Sequence, residues 1–129
     1  MNHIKNLKLT FIFLSFILFS LPMDGKTQQT NETKIKNFWK IGQEAMERRD
    51  YPEAEIQYLK LIKLVPNVPQ MHSNLGLSYY LQNKYELASF QFKIAIKLNS
   101  DLFYPHYFLG SIRRIQKQNN QAIKSIKKA

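Results

Sequence analysis

The sequence predicts an all-α chain of antiparallel helix hairpins stacked in a row. The first observation behind this is a fixed step. Gly42, Gly76 and Gly110 are 34 residues apart, and Ala54, Ala88 and Ala122 keep the same step. A period of that length marks a stacked repeat array. The second is apolar spacing at i, i+3 and i+4, as in Ile35, Phe38, Ile41, Gly42, Ala45 and Met46. The third is composition: 129 residues, 44% hydrophobic and 22% charged, are ordinary for one globular domain. A chain of this length has no room for a large enzyme core with a deep cleft. It has no cysteine, which excludes a disulfide framework and any cysteine-based metal site.

Residues 1–25 read as a targeting segment. Lys5 and Lys8 make a positive start, the run from Leu9 to Leu21 is apolar apart from Thr10, Ser15 and Ser20, and Pro22 follows. At 1.5 Å per residue the run is roughly 20 Å long, short of a ~30 Å hydrocarbon core. A cleaved secretory signal is the expected reading, and an uncleaved anchor formed by residues 9–21 is the alternative. Either one exports the remainder, to the periplasm, the cell envelope or the exterior. Residues 26–34 are polar, without apolar spacing, and are expected to be a flexible linker.

The array is expected over 35–129, as repeats 35–68, 69–102 and 103–129. In the first repeat the break falls at Arg49-Asp50. A second helix opens at Tyr51-Pro52 with Asp50 as its cap, presents Ala54, Tyr58, Leu61, Ile62 and Val65, and ends at Pro66. The second repeat repeats this arrangement. Leu75, Gly76, Tyr79 and Tyr80 precede a Gln82-Asn83-Lys84 turn, and Tyr85, Ala88, Phe92, Ala95 and Leu98 follow it. The third has Pro105 near a helix start, then Leu109, Gly110 and Ile112, an expected turn at Gln118-Asn119-Asn120, and Ala122, Ile123 and Ile126. It stops after 27 residues. That reads as a piece of a longer protein or as an end that a partner covers. A glycine inside a helix costs about 1 kcal/mol relative to alanine. Its recurrence implies that the two helices of a hairpin approach closely there, a glycine on one facing an alanine on the other, with larger residues such as Tyr58, Phe92 and Leu61 filling the space between repeats.

These residues resemble the tetratricopeptide repeat, a 34-residue helix-turn-helix unit with the pattern W-x2-L-G-x2-Y, A-x3-F, P. Repeat two carries Leu75-Gly76-x2-Tyr79, Ala88-x3-Phe92 and Ala95; repeat one carries Ile41-Gly42-x2-Ala45, Ala54-x3-Tyr58 and Pro66; repeat three carries Leu109-Gly110 and Ala122-x3-Ile126. The tryptophan position is held by Phe38, His72 and His106, and Arg113 stands where the third repeat would have an aromatic. The resemblance implies a short right-handed α-solenoid of about three units, the last incomplete. It also implies a concave face lined by first helices. Its inward positions are Lys36, Trp39, Gln43 and Met46; Gln70, Ser73, Leu77 and Tyr80; and Tyr104, Tyr107, Ser111 and Arg114. Some members grip the C-terminal carboxylate of chaperones with lysine, asparagine and arginine. The matching positions here are Trp39, Gln43, Asn74, Tyr104 and Phe108, of which Asn74 alone agrees, so that ligand is not expected. The implied function is a scaffold or adaptor that binds a protein or peptide in the groove.

Chemistry-bearing motifs are scarce. The sequence has no phosphate-cradling glycine loop, no H-E-x-x-H and no nucleophile elbow. His72 and His106 fall at equivalent positions and are expected to pack rather than to ligate. Glu44, Glu47, Asp50, Glu53 and Glu55, among Lys40, Arg48, Arg49 and Lys60, read as a solvated, ion-paired face. No enzymatic activity, metal or cofactor is expected. Charge is uneven: the third repeat carries Arg113, Arg114, Lys117, Lys124, Lys127 and Lys128 and no acid. That basic end suits an acidic partner or an anionic membrane surface, which gives the alternative of a membrane-anchored structural protein of the envelope. Nucleic acid is not expected for an exported chain.

Overall fold

The computed structural model describes residues 25–128. The run 9–21 and its signal or anchor reading lie outside the described residues. Among the described residues there are five helices and no strand: α1 Gly25–Glu47, α2 Tyr51–Leu64, α3 Pro69–Leu81, α4 Tyr85–Leu98 and α5 Phe103–Lys128. None of these is long and apolar enough to cross a membrane. By chain contacts, the described residues from 34 onward form one unit, and the packing below belongs to it.

α1 and α3 end in the same way. Arg49 and Asn83 take positive φ, 61° and 60°. Each places its N–H on the carbonyl three residues back, Met46 and Tyr80, at 3.1 and 3.0 Å. The next N–H reaches five residues back, Asp50 to Ala45 at 2.8 Å and Lys84 to Tyr79 at 2.9 Å. This double bond pattern closes a helix through a left-handed residue. It turns the chain tightly enough to pack α2 on α1 and α4 on α3. Asp50 then caps α2, accepting from the Glu53 N–H at 3.3 Å, with Pro52 in the first turn where its missing N–H costs nothing.

The recurring glycines lie under rings at two of their three positions. A Cβ on Gly42 would stand 3.0 Å from Tyr58 Cε1, and one on Gly76 would stand 2.7 Å from Phe92 Cε1. Both rings are fully buried beside Ala45, Ala54, Leu61, Leu75 and Ala88. The two helix pairs are joined by polar contacts at their edge. The Gln82 amide donates to Glu55 Oε2 at 2.9 Å and to the Tyr51 carbonyl at 3.4 Å, and Lys84 pairs with Glu55 at 2.8 Å. α5 packs against α4 and α3 through Pro105, Leu109 and Ile112, and Phe108 stacks on Phe92 at 5.5 Å and 10°.

Two expectations are corrected. Residues 26–34 are not a flexible linker but the first turns of α1. The side chains at 29–34 are exposed, so burial does not hold them helical. Gln, Glu and Lys are good helix formers, and no proline interrupts 25–47. The third repeat is not a hairpin. α5 runs unbroken through Gln118-Asn119-Asn120. One period after Arg49 and Asn83 the chain has Lys117, which stays helical, and where Tyr51 and Tyr85 open the second helices it has Asn119. Tyr85 is held against Tyr80 at 5.7 Å, and asparagine supplies no such ring. Gly110 consequently has nothing within 4 Å of a Cβ, and its counterparts Ala122 and Ile126 are exposed.

Candidate functional site

The first helices converge on one recess. A pocket of about 280 Å³ is lined by Trp39 and Gln43 of α1, Gln70, Ser73 and Asn74 of α3, Leu102 before α5, and Phe103, Tyr104 and Pro105 of α5. Six groove residues expected from the sequence meet there: Trp39, Gln43, Gln70, Ser73, Asn74 and Tyr104. The i, i+3, i+4 rule brings Gln70, Ser73 and Asn74 onto one side of α3, and Trp39 and Gln43 onto one side of α1.

The wall is anchored from behind. The Gln43 amide donates to the Tyr58 hydroxyl at 3.2 Å, which fixes its rotamer, and Trp39 lies 6.2 Å from the same ring at 58°. Burial pushes the Tyr58 phenol up to about 12, so the group stays neutral and keeps its proton. On the opposite wall Tyr104 stacks on Phe108 at 6.5 Å, and Phe103 lies across Tyr104 at 5.7 Å. Phe103 and Tyr104 are 70% and 66% exposed, so large aromatic faces meet water at the mouth. No lining residue carries a charge. The lining offers amide and hydroxyl donors and acceptors between apolar rings.

The other expected groove residues lie elsewhere. Tyr80 packs against Tyr85 and Phe108, at 5.7 and 4.8 Å, and is a joint between helices. Lys36 and Arg114 are exposed, Met46, Leu77 and Ser111 are half-buried, and none lines the pocket. Tyr107 is exposed and stacks on Phe103 at 5.9 Å. Leu102, Phe103 and Pro105 are lining residues that the sequence reading did not select. The signal for Phe103 was present: it heads a helix with three aromatics in five residues. Leu102 and Pro105 carry no such mark.

The histidines sit as clips. Buried His72 donates its Nε2–H to the Pro66 carbonyl at 2.8 Å. Its Nδ1 is 2.8 Å from the Gln91 amide, which donates to it when the amide nitrogen is turned inward. His106 repeats the first contact one period later, Nε2–H to the Ser100 carbonyl at 2.9 Å, but is exposed. Both imidazoles tie a helix start to the turn before it.

No protein-family model matches the chain, and no curated protein matches it.

Proposed function

We propose that the chain is an exported, tetratricopeptide-type binding module, and that its ligand is an extended segment of another protein held in the α1–α3–α5 recess. The observation that carries this is the recess itself: three helices, spaced by the 34-residue period, contribute uncharged amides, hydroxyls and aromatic faces to one concave surface. Such a lining suits a peptide backbone, which needs paired donors and acceptors, together with an apolar side chain placed against Phe103 and Tyr104. The absence of charge in the lining argues for a ligand segment of neutral residues. The recess is braced before any ligand arrives, so the ordering cost falls on the ligand alone. Export rests on Lys5, Lys8 and the apolar run Leu9 to Leu21.

Trp39 is the sole tryptophan and stands in the pocket wall, so its emission reports occupancy directly. Peptides selected on the purified protein from a random library should shift that emission. They should bind at least about tenfold more weakly to Asn74→Ala and to Tyr104→Ala, a loss of 1.4 kcal/mol or more. Selected peptides that bind both variants as well as the parent would place the ligand elsewhere.

A second reading, a membrane-anchored structural protein of the envelope, is favoured by the exposed cations of α5, Arg113 to Lys128, with no acid among them. Sequencing the mature N-terminus separates the two, because cleavage near Gly25 removes the anchor.

A further inference from the structure

α5 is twice the length of α3 and nearly twice that of α4, and its two halves have different surroundings. The first half is packed. Pro105, Phe108 and Ile112 recur at three- and four-residue steps and face α3 and α4. The same steps continue to Ile115, Asn119, Ala122 and Ile126. Ile115 stands one period after Leu81, the last residue of α3, and every residue from Gln116 to Lys128 is exposed. Ile126 is 76% exposed and Ile123 beside it 51%. A seam that is buried in one half therefore continues, among the described residues, exposed in the other.

The positions of the cations narrow what covers this seam. Written as heptads, Ile112, Asn119 and Ile126 are a positions, and Phe108, Ile115 and Ala122 are d positions. The flanking e and g positions are Leu109, Gln116 and Ile123, and Ser111, Gln118 and Ser125, all neutral. All six cations occupy b, c and f, the outer face. A lipid-seated helix places a continuous apolar face in the bilayer, whereas here Asn119 sits in the middle of it. Paired helices, by contrast, accommodate a single asparagine at an a position, at a cost in stability. Neutral flanks also let two identical seams approach without bringing like charges into contact.

We propose that the overhanging half of α5 pairs with the same segment of a second copy, antiparallel, to make a homodimer. Direction follows from the packing. Upstream, the seam is occupied by α3 and α4, so a parallel partner would run its own upstream half through them. An antiparallel partner keeps its own upstream half beyond residue 128, clear of them. The matching register pairs Ile115 with Ile126 of the second copy, and Asn119 with its Ala122. Each of these pairs then occurs twice about a two-fold axis between residues 120 and 121, the self-complementary form of a closed dimer. The overlap of residues 115–128 is about 21 Å long. That is small for a permanent interface, so association is reversible and concentration-dependent.

The full chain should sediment as a monomer–dimer equilibrium. Ile126→Glu should weaken self-association at least about tenfold, while Lys127→Glu, on the outer face, should leave it unchanged. Because the chain has no cysteine, register can be read chemically. Under oxidation, Ile115→Cys mixed with Ile126→Cys should give a cross-linked dimer, and neither variant alone should. A monomer at every concentration would overturn the proposal, as would association that Ile126→Glu leaves intact. Self-cross-linking of the single variants would mean a parallel pair. A cross-linked monomer from the double variant would mean that the segment folds back on its own body. Capture by vesicles of anionic phospholipid without any dimer would assign the seam to a membrane. Each of these three results also refutes the antiparallel dimer.

Discussion

Three glycines at one repeat position should respond to the same substitution with different signs. Gly→Ala inside a helix gains about 1 kcal/mol from backbone propensity alone. At Gly110 nothing lies within 4 Å of the new methyl, so Gly110→Ala should realise that gain and stabilise by about 0.5–1 kcal/mol. At Gly76 the methyl meets Phe92 Cε1 at 2.7 Å, Cδ1 at 2.8 Å and Cζ at 3.1 Å. Phe92 is fully buried and stacked on Phe108, so the ring has to move by most of an ångström with nowhere to go. Overpacking of this kind costs about 1–3 kcal/mol or more. Set against the propensity gain, Gly76→Ala should lose up to about 2 kcal/mol. Gly42 lies between them: its methyl meets Tyr58 Cε1 at 3.0 Å, a shift of a few tenths of an ångström, and the two terms nearly cancel. Chemical denaturation of the three variants beside the parent gives the order directly. In a domain of this size each kcal/mol moves Tm by about 4–8 °C. If Gly76→Ala proves as stable as Gly110→Ala, the glycine is not there to make room for a ring, and the packing account of the period is wrong.

Other substitutions test separate joints. Arg49 holds a left-handed φ that glycine adopts freely, so Arg49→Gly should stabilise the α1–α2 turn by up to about 1 kcal/mol in thermal melts. His72→Ala strips two hydrogen bonds from a buried site and should cost about 2 kcal/mol, whereas His106→Ala, exposed and with its contact only to Ser100, should cost less than about 1 kcal/mol. The Tyr58 phenol is raised in the fold from 10.0 to about 12, so folding favours its neutral form. The stability this contributes is complete below pH 10 and is lost as pH rises from about 10 towards 12. A phenolate absorbance titration should show a late-ionising tyrosine that Tyr58→Phe removes, and Tyr79, raised by burial and by Glu55 against the opposing pull of Lys84, should also titrate late.

Much of this was legible in the sequence, for a physical reason. The glycine–ring contacts at Gly42 and Gly76 are short-range packing, and packing demands a small residue opposite a large one. The close approach is written into a step of 34, but its partner was misassigned: the expectation set glycine against alanine, whereas Gly42 and Gly76 lie under the rings of Tyr58 and Phe92. The turns at Arg49 and Asn83 were legible as polar breaks, though not as left-handed residues, because neither is glycine. The third copy misled because its small residues, Gly110 and Ala122, kept the step while the ring that anchors a second helix did not. Asn119 stands where Tyr51 and Tyr85 open the second helices, and a departure there is easily outvoted by small residues that keep the step. The start of α1 was hidden for the opposite reason: it is held by local propensity, without the apolar period on which the reading relied. At the recess, positions fixed by helix phase were found, while Leu102 and Pro105 owe their place to the turn into α5, which phase does not describe.

The rings of the recess are not isolated from the core. Tyr104 rests on Phe108, Phe108 on Phe92, and Phe92 on the bare backbone at Gly76. A guest that presses on the mouth would therefore press, through three rings, on the close approach of Phe92 to Gly76. If the recess holds the segment proposed above, occupancy and cohesion become one linked equilibrium. Whatever tightens the rings around Gly76 favours the guest, and the guest in turn makes the array harder to pull apart. An adaptor of this design would be most resistant to unfolding and proteolysis while it is engaged, and would be cleared most readily when it has nothing to hold.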